Sequence, residues 1–155
     1  MKFIADLQIH SKYSRATSPR MVLEEIDRWA GNKGILVMGT GDFTHPAWFK
    51  EIKEKLEPAE PGLFKLKKQF KQPTIHCGLS ETRFLLEVEI SGIYSRTLTQ
   101  SGVKKVYRIH NMIFAPDIET AEKINTQLGW IGNLASDGRP ILGLDSRELA
   151  KIVFN

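Results

Sequence analysis

Apolar positions along the chain alternate between the periods of strands and of helices. Residues 2–9 form a run that reads as a strand, followed by a polar loop over 11–18. Pro19 at a first helical position, with Ser18 as cap, opens a helix whose apolar face is Val22, Leu23, Ile26, Trp29 and Ala30, with Gly31 and Gly34 as its stop. The uniformly apolar run 35–38 has the composition of a strand covered on both faces, and Gly39, Thr40, Gly41 and Asp42 turn the chain after it. Together these predict a parallel βαβ unit.

Pro46 starts a second helix, with Trp48, Phe49, Ile52 and Leu56 along one side. The Pro-, Lys- and Glu-rich segment 57–73 is long for a compact domain and is expected to be either disordered or a binding loop. Residues 84–90 and 104–114 have strand character and flank a polar turn containing Gly102, which predicts an antiparallel hairpin. Asp117 caps a helix over 119–128 that stops at Gly129, and Asp145 with Glu148 forms a capping box for a helix reaching the final residue. The order predicts one α/β domain over 1–155 without internal repeats.

Composition narrows the class only a little. With 41% hydrophobic and 26% charged residues, the 155-residue chain has the make-up of a soluble globular protein. Cys77 is its single cysteine, which excludes an internal disulfide and a four-cysteine zinc module and fits a reducing compartment; His76 beside it reads as structural. No apolar stretch approaches the roughly 18 residues of a membrane span, and no signal peptide opens the chain, so a cytoplasmic address without a membrane partner is expected. The net charge of +4 mildly favours polyanions. Lys65, Lys67, Lys68 and Lys71, interleaved with Phe64 and Phe70, suit a phosphate backbone with bases stacked on rings, and equally a solvated face.

Candidate chemistry begins at Gln8 and His10. Residues two apart on a strand point to the same side, so both side chains can reach one ion while Ile9 packs inward. A pair of imidazoles there would hold zinc or manganese, whereas the neutral amide of Gln8 is a weak ligand. Asp42, Glu89 and His110 fall, like Gln8 and His10, at or just beyond the carboxyl ends of predicted strands, the edge where α/β enzymes place their sites. Glu87 and Glu89 share one face of an otherwise apolar strand, and a carboxylate there is costly unless paired or bound to a cation. Each residue also has an ordinary role open to it. Asp42 can cap the next helix, Glu89 can pair with Arg83 or Arg108, and His110 can be a core histidine. His45 reads as a helix-start residue, a support for a ligand, or a phosphate contact.

The strings DLQIHSKYS (6–14), GTGDFTHP (39–46), LEVEIS (86–91), RIHN (108–111) and GNLASDGRP (132–140) resemble the PHP (polymerase and histidinol phosphatase) superfamily, and within it the endonuclease Q branch. The resemblance spans essentially the whole chain. It implies part of a distorted (β/α)7 barrel with a β-hairpin insertion, up to three divalent metal ions (zinc, manganese or magnesium), and a DNA endonuclease cutting 5′ of deaminated bases or abasic sites. His10 matches the second histidine of the first motif, Asp42 the acid of the second, Glu89 the bridging acid and His110 a later ligand; Gln8 stands where the first histidine is expected. Asp42 and Glu89 are the implied catalytic acids. Ser136, Asp137 and Arg139 in the Gly-rich loop, with His45, Lys67 and Lys68, are candidate substrate contacts.

Relatives in this branch continue through further histidine ligands and a cysteine-rich zinc module, so the chain is expected to be an N-terminal piece. Some relatives carry a UvrD-type helicase label, but the chain has no Gly-x-x-x-x-Gly-Lys-Ser/Thr phosphate loop, which argues against ATP hydrolysis. Two rival readings stay open: a phosphoesterase of the histidinol phosphatase kind, and a non-catalytic DNA-binding remnant.

Overall fold

A computed structural model describes residues 2–73, 81–97 and 102–154; His76 and Cys77 lie outside them. The first βαβ unit forms as the pattern requires. β1 (Ile4–Asp6) and β2 (Ile35–Gly39) pair in parallel around α1 (Leu23–Lys33), and Gly34 ends the helix in the left-handed region at φ 72°.

Two details of this unit differ from expectation. β1 is only three residues long, and α1 begins at Leu23 rather than at Pro19, because the Ser18 hydroxyl accepts from the Arg20 N–H and the Met21 amide bonds the Ser18 carbonyl, closing a turn instead of capping a helix. Trp29 leaves the predicted apolar face. It is 49% exposed and lies under the Arg28 guanidinium, 4.7 Å from the ring centroid.

α2 (Pro46–Lys55) follows the turn after β2 and buries Trp48, Phe49 and Ile52. The segment expected to be a disordered or binding loop is instead a small hairpin, β3 (Leu56–Pro58) against β4 (Phe64–Leu66), followed by a 3-10 turn at Lys68–Phe70. Buried Leu56, Phe64 and Leu66 anchor it, and β4 joins the main sheet through Phe64 opposite Phe84. The hairpin predicted later in the chain is present and longer than expected: β5 (Arg83–Thr97) pairs antiparallel with β6 (Lys104–Ala115). α3 (Ile118–Gly129) is capped by Asp117, whose carboxylate accepts from the Thr120 N–H, and α4 (Ser146–Val153) by Asp145, which accepts from the Glu148 N–H. A two-residue strand, β7 (Ile141–Leu142), runs parallel to β5 and was not legible in the sequence.

Among the described residues the result is a mixed α/β fold of seven strands and four helices, with sheet order β1-β2-β5-β4-β3 and with β6 and β7 both paired to β5. β1, β2 and β5 run parallel and define a common carboxyl edge. Among the described residues only β1 and β2 are successive strands joined in the βαβ manner of a barrel; β3 and β4 reverse direction. Among the described residues β1 pairs on one side only, and Phe3, Ile4 and Leu7 beside that open side are 59%, 60% and 41% exposed. No helix among the described residues is long and apolar enough to cross a membrane.

Candidate active site

Two left-handed residues in succession build the floor of the site. Gly41 (φ 63°) and Asp42 (φ 51°) turn the chain sharply after β2. A Cβ on Gly41 would stand 2.7 Å from the Ile9 carbonyl oxygen, so the bare glycine lets this turn press against the chain leaving β1. The Trp48 indole N–H donates to the Thr40 and Gly41 carbonyls at 3.2 and 2.9 Å and pins the turn from below.

Asp42 is thereby fully buried with its carboxylate facing the loop after β1. Its Oδ2 accepts from the Ser11 amide at 2.6 Å, the Ser11 hydroxyl at 2.7 Å and the Ser14 hydroxyl at 3.0 Å. Its Oδ1 lies 3.1 Å from His10 Nδ1, and the other ring nitrogen, Nε2, lies 3.2 Å from Glu89 Oε2. Glu89 also accepts from the Gln8 amide at 3.3 Å, contacts His110 Nδ1, and has Arg139 Nη1 at 3.7 Å. Gln8, His10, Asp42, Glu89, His110 and Arg139 therefore meet at the carboxyl edge. Gln8 presents its NH₂ group, a donor, to Glu89, whereas a metal ligand must present an acceptor.

The charge balance follows from these contacts. The Asp42 hydrogen bond, reinforced by the charges of Asp42 and Glu89 and opposed by burial, raises the His10 imidazole above its ordinary pKa. Burial works against ionisation at Glu89, yet His110, Gln8 and Arg139 together hold its carboxyl below the usual value. Both contacts thus draw His10 toward its charged form between two carboxylates.

A further acid lies against this cluster. Glu87, which the sequence places on the face of Glu89, is wholly enclosed, and neither carboxylate oxygen has a hydrogen-bond partner. The missing side chain of Gly39 makes room for it, since a Cβ there would meet Glu87 Oε2 at 2.9 Å. Burial, with the neighbouring charge of Asp42, pushes its pKa up to about 8. The two-residue spacing of the glutamates was visible in the sequence; the lack of any partner for Glu87 depends on residues far along the chain.

The other candidates divide. Arg139 reaches Glu89, but Ser136 turns its hydroxyl to the Asn133 carbonyl, and Asp137 pairs with Arg15 while accepting from the Arg139 amide. His45 is a helix-start residue without a side-chain cap. It is buried and stacked on Tyr13 at 4.3 Å, and burial lowers its pKa. Arg83, a possible partner for Glu89, binds Glu60 and Glu81 instead, and half-exposed His110 is not a core residue. Lys67 and Lys68 follow β4, which runs antiparallel to β5 from the Phe64–Phe84 pairing, so they extend away from the edge that carries Glu89. Lys67 donates to the Glu54 carbonyl there.

Gly138, in the Gly-rich loop of these candidates, has a structural part in the site. Its backbone lies over the buried carboxylate, and its amide bonds the Tyr13 carbonyl at 3.1 Å. A Cβ would come within 2.2 Å of Asp42 Oδ2 and 2.5 Å of Ser14 Oγ. Gly138→Ala is expected to cost about 1–3 kcal/mol by overpacking this network. Urea unfolding with an unshifted midpoint would show that the loop does not rest on Asp42.

The donors are of the kind that divalent cations take, mixed imidazole and carboxylate, and the unpartnered Glu87 leaves a buried acid that a cation would relieve. Among the described residues, however, no three of His, Cys, Asp and Glu converge on one point as they stand.

Comparison with known proteins bears on the fold. No family profile matches the sequence. An uncharacterized protein of Methanocaldococcus jannaschii is 28% identical over 149 residues, covering 96% of this chain and 14% of that protein. The crystal structure of the lesion-specific endonuclease PfuEndoQ from Pyrococcus furiosus superposes with a TM-score of 0.72 at 26% identity, covering 97% of this chain and 31% of that one. A crystal structure of endonuclease Q with a 27-mer duplex substrate carrying an abasic lesion at the active site gives the same TM-score and identity, covering 97% of this chain and 32% of that one. The chain thus has the fold of about a third of an endonuclease Q and spans 14% of its curated relative.

Proposed function

We propose that this chain is the PHP-like part of a metal-dependent DNA repair endonuclease that cleaves phosphodiester bonds 5′ of deaminated bases or abasic sites. The observation that carries the reading is the convergence of His10, Asp42, Glu89, His110 and Arg139 at one sheet edge, within a fold that matches a lesion-specific endonuclease along 97% of the chain.

In this reading Asp42, Glu89, His10 and His110 are the residues that would hold divalent cations, zinc, manganese or magnesium. Such ions supply an activated water and charge stabilisation at a scissile phosphate. The chain's own part is orientation. Ser11 and Ser14 fix the Asp42 carboxylate, the Gln8 amide fixes one oxygen of Glu89, and the Arg139 guanidinium, 42% exposed, is free on its outer side to receive a phosphate oxygen. Recognition of a damaged base requires its extrusion from the stack, for which the loop 136–139 is the nearest cover.

The test is incubation of pure protein with duplexes carrying a single uracil, hypoxanthine or abasic site, in magnesium, manganese or zinc salts. One lesion-dependent nick on the 5′ side is expected. Hydrolysis of phosphate monoesters with no duplex binding would instead favour the small-molecule phosphoesterase. The position of His10 between two carboxylates, with Gln8 as a donor, favours a second reading, a DNA-binding remnant, which salt-sensitive duplex binding without metal uptake would identify. Gln8→His should raise the metal content per chain, and unchanged content by elemental analysis would argue against a metal clamp at this edge.

A further inference from the structure

The outer half of the β5–β6 ribbon carries positive charge away from the site along a single face. Residues directly opposite in an antiparallel pair share a face, and faces alternate along each strand. Starting at the site, the face of Glu89 and His110 continues through Ile93 opposite Arg108, Ser95 opposite Val106, and Thr97 opposite Lys104. At about 3.4 Å per residue, Arg108 stands about 7 Å and Lys104 about 20 Å beyond His110. Both are exposed, and neither has a carboxylate within ion-pair distance among the described residues. No Asp or Glu occurs in 91–97 or 102–110.

The opposite face of the ribbon is already engaged. Tyr94 and Tyr107 stack at 5.4 Å, Arg96 and Lys105 lie over those rings, and Arg96 pairs with Asp145. Gly92 on that face lies close under the Leu144 carbonyl, 2.7 Å from where its Cβ would be. These contacts stiffen the ribbon from behind and leave the Arg108 and Lys104 face open.

We infer that this face is a phosphate track, on which Arg108 and Lys104 hold the sugar-phosphate backbone of a DNA strand as it leaves the site. The occupant follows from charge complementarity and from continuity with the site: two cations without an ion pair among the described residues, Arg108 and Lys104, flanking Val106 and accompanied by the hydroxyls of Ser95 and Thr97, suit a polyanion. This inference rests on the proposed function, because it takes the ligand of the site to be DNA.

The experiment is fluorescence anisotropy of a labelled duplex with one abasic site, titrated with the full chain over a salt series. The K104Q/R108Q double variant is compared with wild type and with K50Q/K123Q, which removes the same charge from exposed helix surfaces. K104Q/R108Q should bind about tenfold or more weakly, with a salt slope shallower by about 2, while K50Q/K123Q keeps both values. Matching circular dichroism melts confirm that the ribbon variant folds. Wild-type affinity and slope in K104Q/R108Q, or equal losses in both double variants, overturn the track and leave the proposed function standing. A wild-type chain that does not bind the duplex overturns both.

Discussion

Asp42→Ala is expected to destabilise the protein by about 3–5 kcal/mol, the cost of removing one side of a buried, hydrogen-bonded charge cluster. Three donors, the Ser11 amide and the Ser11 and Ser14 hydroxyls, would be left without an acceptor in a region closed to water. Alanine also tolerates the positive φ of this position less well than aspartate does. Asp42→Asn separates the two effects, because asparagine accepts the left-handed backbone and keeps one acceptor oxygen while losing the charge. Its loss should be clearly smaller. Chemical denaturation of both variants measures the difference, and an NMR titration of His10 gives an independent reading: without the Asp42 hydrogen bond its imidazole pKa must fall. An Asp42→Ala protein within about 1 kcal/mol of wild type would show that this carboxylate is not the organising centre of the edge.

Glu87→Gln should act in the opposite direction and depend on pH. The enclosed carboxyl titrates near 8 in the folded protein and at its ordinary value of 4.5 when unfolded. Between these values the folded state binds the extra proton, so stability is highest below about pH 4.5, declines as pH rises, and levels above about pH 8. At pH 7 the penalty is about 3 kcal/mol, at roughly 1.4 kcal/mol per pH unit. Glutamine has no proton to lose and removes this slope. In metal-free protein the variant should therefore gain about 3 kcal/mol on wild type between pH 4.5 and 7. His10, whose folded pKa is raised, adds a decline of the same sign above its unfolded value, and this remains in the variant. Parallel stability profiles for the two proteins would show that Glu87 is not held as a neutral acid.

The parts of the molecule that were legible in the sequence are those governed by local rules. Gly34 as a left-handed stop, Pro46 at the start of α2, and Asp117 and Asp145 as caps each act within one turn of their own position. The gathering of Gln8, His10, Asp42 and Glu89 was legible for a related reason, since β1, β2 and β5 run parallel and β5 continues past the ends of the other two; His110 reaches the same edge from the middle of the antiparallel β6, opposite Ser91. What the sequence concealed depends on distant partners. The β3–β4 hairpin looked like a loop because its strands are three residues long and a lysine, Lys65, separates its anchors, Phe64 and Leu66. Gly138 could not be read as the cover of Asp42, since 96 positions separate them along the chain. Lys67 and Lys68 drew attention through local charge, yet the antiparallel course of β4 carries them away from the site.

Among the described residues β1 is paired on one side only, and this bears on how any binding measurement is run. A short strand with an open row of backbone donors and acceptors, flanked by uncovered Phe3, Ile4 and Leu7, offers one molecule a seam on which another can zip. At high concentration such self-association would make DNA isotherms steep for reasons unrelated to DNA. Dilute protein and a light-scattering control keep the two sources of apparent cooperativity apart.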